Sequence, residues 1–229
     1  MKHKVAAAVM AAVMTLSMMT GCGKKTGDTP KADTNNNTSV SSSAEPTHSV
    51  INEDEMNEAF KDIPDLDGDG PVISLSNTTA KPGELAEVTL SVKNADLQWS
   101  MCGIHIIYPE VLKPDMSNPE EREVRFTSGE AIAESSGKIC MEWQEGLPPI
   151  LTEQKQGCSF FTCMFSGNGG ADGDIATIYL KVPENAQPGA VYNLGYYFLS
   201  TDLFINEQNI PSFMKYAFTH MQGGTITVE

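Results

Sequence analysis

Positive charge is scarce in this chain. Its 229 residues carry 15 Lys and Arg against 30 Asp and Glu, for a formal net charge of −15. A surface this acidic repels nucleic-acid phosphates and anionic lipid headgroups, so neither is expected as a partner held by charge. Zinc-ligand spacing is absent as well: no Cys-x-x-Cys occurs, and no His stands close to Cys158 or Cys163. The chain also lacks a Gly-x-Ser-x-Gly turn, a His-Glu-x-x-His helix and a phosphate loop. Carboxylate pairs for glycoside hydrolysis are recognisable only in space. With no cleft-building insertions to support them, the chain is read as a non-enzyme that needs no cofactor of its own.

Only one long apolar run exists, Val5 to Met19, behind the basic start Lys2-His3-Lys4. It is too short and wrongly flanked for a stable span, and it ends at Met19-Thr20-Gly21-Cys22. Residues 1–21 are therefore read as an export signal. A Cys directly after small residues resembles a bacterial lipobox, which implies that Cys22 carries the lipid and becomes the first mature residue. Losing Lys2 and Lys4 with no acid makes the mature chain two units more negative. Membrane contact is then expected through the lipid alone, at the outer face of the cell membrane. Residues 22–49 are rich in Lys, Thr, Asn, Ser, Pro and Gly. Too little apolar surface is present to offset ordering entropy, so the stretch reads as a flexible tether reaching roughly 25–30 Å.

Residues 50–70 read as a short acidic segment. Val50 to Ile63 is expected to be helical, with Ile51, Met56, Ala59 and Phe60 on one side and Pro64 as its stop. Asp65-Leu66-Asp67-Gly68-Asp69-Gly70 opens like a calcium loop, with oxygen ligands available at Asp65, Asp67 and Asp69. The pattern fails at Ser76, where a bidentate Glu is required. An acidic turn is the preferred reading, and a calcium site the weaker alternative.

From Pro71 to Glu229, short runs of Val, Ile, Thr and aromatics alternate with Gly, Pro, Asn and Asp turns. That is the signature of an antiparallel sandwich. Strands are expected at 72–75, 85–92, 99–108, within 122–132, and at 138–144, 160–165, 174–182, 192–199 and 224–228. The informative strand is Trp99 to Leu112 (WSMCGIHIIYPEVL). Cys102, Ile104, Ile106 and Tyr108 share one face, and Met101, Gly103, His105 and Ile107 the other. Both faces are largely uncharged, so both are expected to be covered, the second either by this domain itself or by something that arrives later, and a partner is the preferred reading. Cys102, Cys140, Cys158 and Cys163 lie in an exported domain, where disulfides are permitted but not required. They read as structural or unpaired thiols.

Several landmarks resemble the cohesin family. Ala80-Lys81-Pro82-Gly83-Glu84 followed by VTLSVKN is similar to its opening, and Tyr108-Pro109-Glu110-Val111-Leu112 to the corner after its third strand. Ser136 to Ile139, Asp172 to Ile178, Ala186 to Tyr192 and Gly223 to Val228 match four more, all in the family's order. The resemblance spans Val72 to Glu229. It departs at the corner, which lacks an aspartate, and in extra length at 145–157 and 200–218. It implies an all-β fold, a jelly-roll β-sandwich of two antiparallel sheets. It also implies a non-catalytic, monomeric surface adaptor that binds dockerin modules of polysaccharide-degrading enzymes or scaffoldins, with calcium carried by the dockerin.

Carried over by position, the implied partner-binding residues are Gly103, His105 and Ile107 on one strand, Cys140, Glu142 and Gln144 on another, and Leu203 with Phe204 beside them. The alternatives are that His105 and Glu142 are ordinary exposed strand residues and that Leu203 or Phe204 covers the core. A carbohydrate-binding module is the competing reading. It requires exposed aromatics to stack on sugar rings, with Trp99, Tyr192, Tyr196 and Tyr197 as candidates. Tyr196 and Tyr197 are adjacent, so one of them is expected to point outward.

Overall fold

Alternation of burial writes several of the strands, while the central ones are buried on both faces. The computed structural model describes residues 49–229, so the expected leader, Cys22 and the tether up to residue 48 lie outside the described residues. In chain order the elements are α1 (Glu53–Phe60), β1 (Val72–Leu75), β2 (Asn77–Ala80), β3 (Leu85–Lys93), β4 (Met101–Pro109) and β5 (Lys113–Pro114). Next come β6 (Met116–Asn118), β7 (Glu123–Val124), β8 (Phe126–Ser128), β9 (Cys140–Trp143), α2 (Pro149–Glu153) and β10 (Gln156–Met164). The chain closes with β11 (Gly173–Lys181), β12 (Val191–Tyr197), β13 (Leu203–Ile205), α3 (Pro211–Thr219) and β14 (Gly224–Val228).

These strands form two sheets. The five-stranded sheet runs β1-β3-β11-β5, with β8 also on β11. The nine-stranded sheet runs β2-β14-β12-β4-β10-β9-β7-β6, with β13 also on β4. Every pairing is antiparallel except β14 with β2. The protein is thus an all-β sandwich. Ala86, Val88, Leu90 and Val92 of β3 face Cys102, Ile104, Ile106 and Tyr108 of β4 across one hydrophobic core. In β11 a bulge between Asp174 and Ala176 breaks the alternation. Ile175 and Ala176 are therefore both buried, although neighbours on a regular strand point opposite ways.

The residues before Pro71 pack into that core. Val50 bridges to Tyr196, with Tyr196 N donating to Ser49 O at 2.9 Å and Ile51 N to Tyr196 O at 3.0 Å. Asn52 imitates a strand neighbour: its Nδ2 donates to Phe198 O and its Oδ1 accepts from Phe198 N, both at 2.8 Å. The expected helix forms as α1 and buries Met56 and Phe60. Phe60 packs on Phe198 and Phe218 with ring centroids 5.4 and 5.9 Å apart. Extra length at 200–218 becomes β13 and α3, whose Phe213, Ala217 and Phe218 are buried in the same core.

The Asp65–Gly70 turn is held by charge. Lys215 Nζ lies 2.7 Å from Asp65 Oδ1 and donates to Ile63 O at 2.7 Å. That hydrogen bond and charge lower the Asp65 pKa. Gly70 fits because a Cβ there would meet Leu66 and the Tyr216 ring at 2.5–2.7 Å. Among the described residues no three carboxylate, imidazole or thiol side chains gather closely enough to share a metal ion, Asp65, Asp67 and Asp69 included.

Candidate protein-docking face

Strand register places one row of side chains across the outer surface of the nine-stranded sheet. Tyr197 of β12 pairs with His105 of β4, His105 with Phe160 of β10, Phe160 with Glu142 of β9, and Glu142 with Glu123 of β7. One step along, Leu203, Gly103, Thr162 and Cys140 form a second row. Ile205, Met101 and Met164 form a third. Because side chains alternate, all of these look away from the core.

The face divides in two. Around the second and third rows it is open: Met164 is 43% exposed, and Met101, Phe160, Thr162, Cys140, Leu203 and Ile205 are half-buried. Around Ile107 it is closed. Ile107, Cys158 and Tyr197 form a small apolar cluster of their own with Leu151, sealed by Ile51, Leu147 and Ile150. The lid is the Pro-rich segment that carries α2, and Ile51, from the residues before α1, closes the cluster beside it.

Each expected contact residue has a definite place. Gly103 is buried beneath Phe160, whose Cζ would lie 3.3 Å from a Cβ at that position. The missing side chain gives the ring its seat. His105 is only 9% exposed, so the reading of it as a solvent-facing strand residue is corrected. Its Nδ1–H donates to the buried Asp202 carboxylate at 2.7 Å, and Phe160 packs on its ring at 4.6 Å. Asp202 Oδ2 also accepts from Leu199 N at 3.2 Å, which ties the β12–β13 turn to β4. Ile107 is 5% exposed, and its expected availability to a partner is corrected: this chain's own α2 segment covers it.

Cys140, Glu142 and Gln144 are half-buried on the open side and its edge. Burial first, then the neighbouring Glu142 charge, pushes the Cys140 thiol up. Gln144 Nε2 donates to Glu142 O at 3.2 Å. Leu203 faces outward over Gly103, whereas Phe204 is fully buried, correcting its expected role as an anchor. Phe204 shares the register of Cys102 and therefore its inward direction. It stacks on Trp99 and Phe213 at 5.1 and 5.7 Å. Met101, Phe160, Thr162, Met164 and Ile205 are candidate contacts that sequence reasoning does not find. The signal that finds three of them is the alternation of Phe160, Thr162 and Met164 with Phe161 and Cys163, hidden when residues 160–165 are read as one apolar run.

All four described thiols are free. Cys102 and Cys163 are direct cross-strand partners in the core. A hydrogen bond from one thiol to the other, together with burial, raises the Cys102 pKa strongly. Burial pushes the Cys158 thiol up to about 12.

Sugar-stacking candidates fare poorly. Trp99 and Tyr196 are core residues, and Tyr197 points outward as expected but lies within the covered cluster. Tyr192 is half-buried, and the exposed large apolar side chains are all aliphatic or Met. The half-buried Trp143 borders a cavity of about 410 Å³ with Tyr108, Glu110, Met116 and Gln156, away from the open rows.

No protein-family model matches the sequence, and no curated protein matches it. Solved structures do. A type III cohesin module from the cell-surface anchoring scaffoldin ScaE of Ruminococcus flavefaciens superposes with a TM-score of 0.57 at 24% identity, covering 70% of this chain and 88% of that one. A Clostridium thermocellum OlpA cohesin–dockerin complex matches at 0.47 and 15% identity, over 70% of this chain and 100% of that one. A non-cellulosomal cohesin of Archaeoglobus fulgidus matches at 0.44 and 14%, over 70% and 92%. The two-sheet sandwich formed by the described residues is a cohesin-fold domain.

Proposed function

We propose that this protein is a non-catalytic adaptor at the cell surface, lipid-anchored through Cys22, whose sandwich captures a dockerin-bearing protein on the open rows of its nine-stranded sheet. One observation carries the reading. Met101, Phe160, Met164, Leu203 and Ile205 form an accessible, uncharged patch on a chain whose surface is otherwise acidic. Such a patch with Glu142 and Gln144 at its edge has the apolar centre and polar rim of a protein interface. The sequence landmarks and the likeness to a module of a surface-anchoring scaffoldin support the same partner class. Fully burying an exposed Leu or Met is worth about 1.5–3 kcal/mol, and these side chains, already partly covered, would each contribute the fraction still open.

The test is capture of calcium-loaded dockerin modules by the whole chain, beside insoluble cellulose and xylan, with chelator as control. The expected result is dockerin capture that chelator abolishes. Retention on a polysaccharide without any dockerin capture would instead favour sugar binding, with the Trp143 cavity as the place to look.

A further inference from the structure

The closed half of the outer face is already occupied, and its occupant reveals what fits there. Residues 147–151 present three aliphatic side chains to Ile107, Cys158 and Tyr197: Leu147, ahead of the extended Pro148, and Ile150 with Leu151 on the single turn of α2. This cluster is separate from the sandwich core. The hold is weak in kind. Among the described residues, the only hydrogen bond linking residues 146–154 to the sheet is the local one from Gln156 Nε2 to Gln154 O at 3.4 Å. The remaining bonds of α2 close on its own turn, such as Leu151 N to Pro148 O. The one ion pair nearby, Arg122 with Glu145, spans 3.7 Å between exposed side chains, a kind that contributes little. Both ends of the segment sit in left-handed backbone, Gly146 at φ +64° and Lys155 at φ +52°. Lys155 itself stays tied to the sheet, its carbonyl accepting from Glu110 N at 2.8 Å, so the two left-handed residues mark the points about which residues 146–154 can swing.

We propose that residues 146–154 are a self-ligand seated in a concealed subsite of the docking face, and that an apolar helical ridge of the bound partner displaces them. This rests on the docking reading above. The partner's chemistry follows from the occupant: two or three clustered aliphatic side chains carried by a helical turn, replacing Leu147, Ile150 and Leu151. A footprint confined to the open rows would then extend over Ile107 and Tyr197 once the lid lifts. Because the lid competes with the partner, apparent affinity falls by the fraction of time that the subsite is closed. Cys158, buried beneath the lid, reports its opening.

The experiment uses the whole chain, wild type and with Leu151→Ala or the milder Ile150→Ala. N-ethylmaleimide modification of Cys158 is followed by peptide mass spectrometry, and affinity is measured for the calcium-loaded dockerin that the wild type captures best. Circular dichroism melts verify that each variant is folded. The expected result is faster Cys158 modification together with about three- to tenfold tighter dockerin binding. Unchanged Cys158 modification in both folded variants would overturn the proposal, as would faster modification with no gain in affinity. If neither wild type nor variant captures any dockerin, the docking reading fails and the concealed subsite fails with it.

Discussion

Replacing Ile107 by Ala separates a covered outer face from an open one. On an exposed strand position the change would alter stability by less than about 0.5 kcal/mol. Here Ile107 is 5% exposed and enclosed by Leu151, Cys158 and Tyr197. Truncation removes three methyl or methylene groups and leaves a void. Core Ile→Ala changes cost about 2–5 kcal/mol, and this small cluster under a short lid can partly collapse, which places the cost at about 2–3 kcal/mol. Urea unfolding followed by the fluorescence of the buried Trp99 and half-buried Trp143 is the assay. With a slope of about 2 kcal/mol per molar urea, the midpoint should fall by about 1–1.5 M at unchanged slope. Ile107→Asp would go further and prevent stable folding, because a carboxylate would be buried without a partner. A midpoint within about 0.2 M of wild type for Ile107→Ala would refute the covered face.

Three further outcomes follow from side-chain placement. Phe204→Ala should destabilise the domain by about 3–5 kcal/mol, since its ring stacks on Trp99 and Phe213, whereas the outward Leu203→Ala should cost under about 1 kcal/mol; thermal melts separate the two. Native thiol titration at pH 8 should modify the half-buried Cys140 first, with Cys102 and Cys163 reacting only on unfolding. Stability should fall on the alkaline side. Burial raises the Cys158 pKa to about 12 from about 8.5 in an unfolded chain, so the contribution is full below that lower value and is lost as pH rises toward the upper one. Cys158→Ala should flatten that decline in urea midpoints measured from pH 8 to 11.

Much of the sandwich is legible in residue alternation. The β3 pattern and the inward set of β4 follow from a period of two, and the structure buries those side chains. Long-range covering is what alternation cannot express. Nothing local in the sequence shows that Leu147, Ile150 and Ile51 come to rest over Ile107, because the contact joins segments dozens of residues apart. Composition likewise places a boundary at Pro71, yet Met56 and Phe60 complete the core through Phe198 and Phe218. Parity alone settles Leu203 against Phe204, but only after register with Gly103 and Cys102 is known. The β11 bulge hides in the sequence for the same reason: Ile175 and Ala176 look like opposite faces until the extra residue is seen.

The central claim is that the open rows of the nine-stranded sheet form the docking surface. The most direct measurement is calorimetric titration of a captured calcium-loaded dockerin into the whole chain carrying Met164→Asp or Leu203→Asp. Each places a charge in the apolar patch while leaving the core untouched. Melting temperatures close to wild type with at least tenfold weaker binding for both variants is the predicted result. Full-strength binding by both folded variants would contradict it.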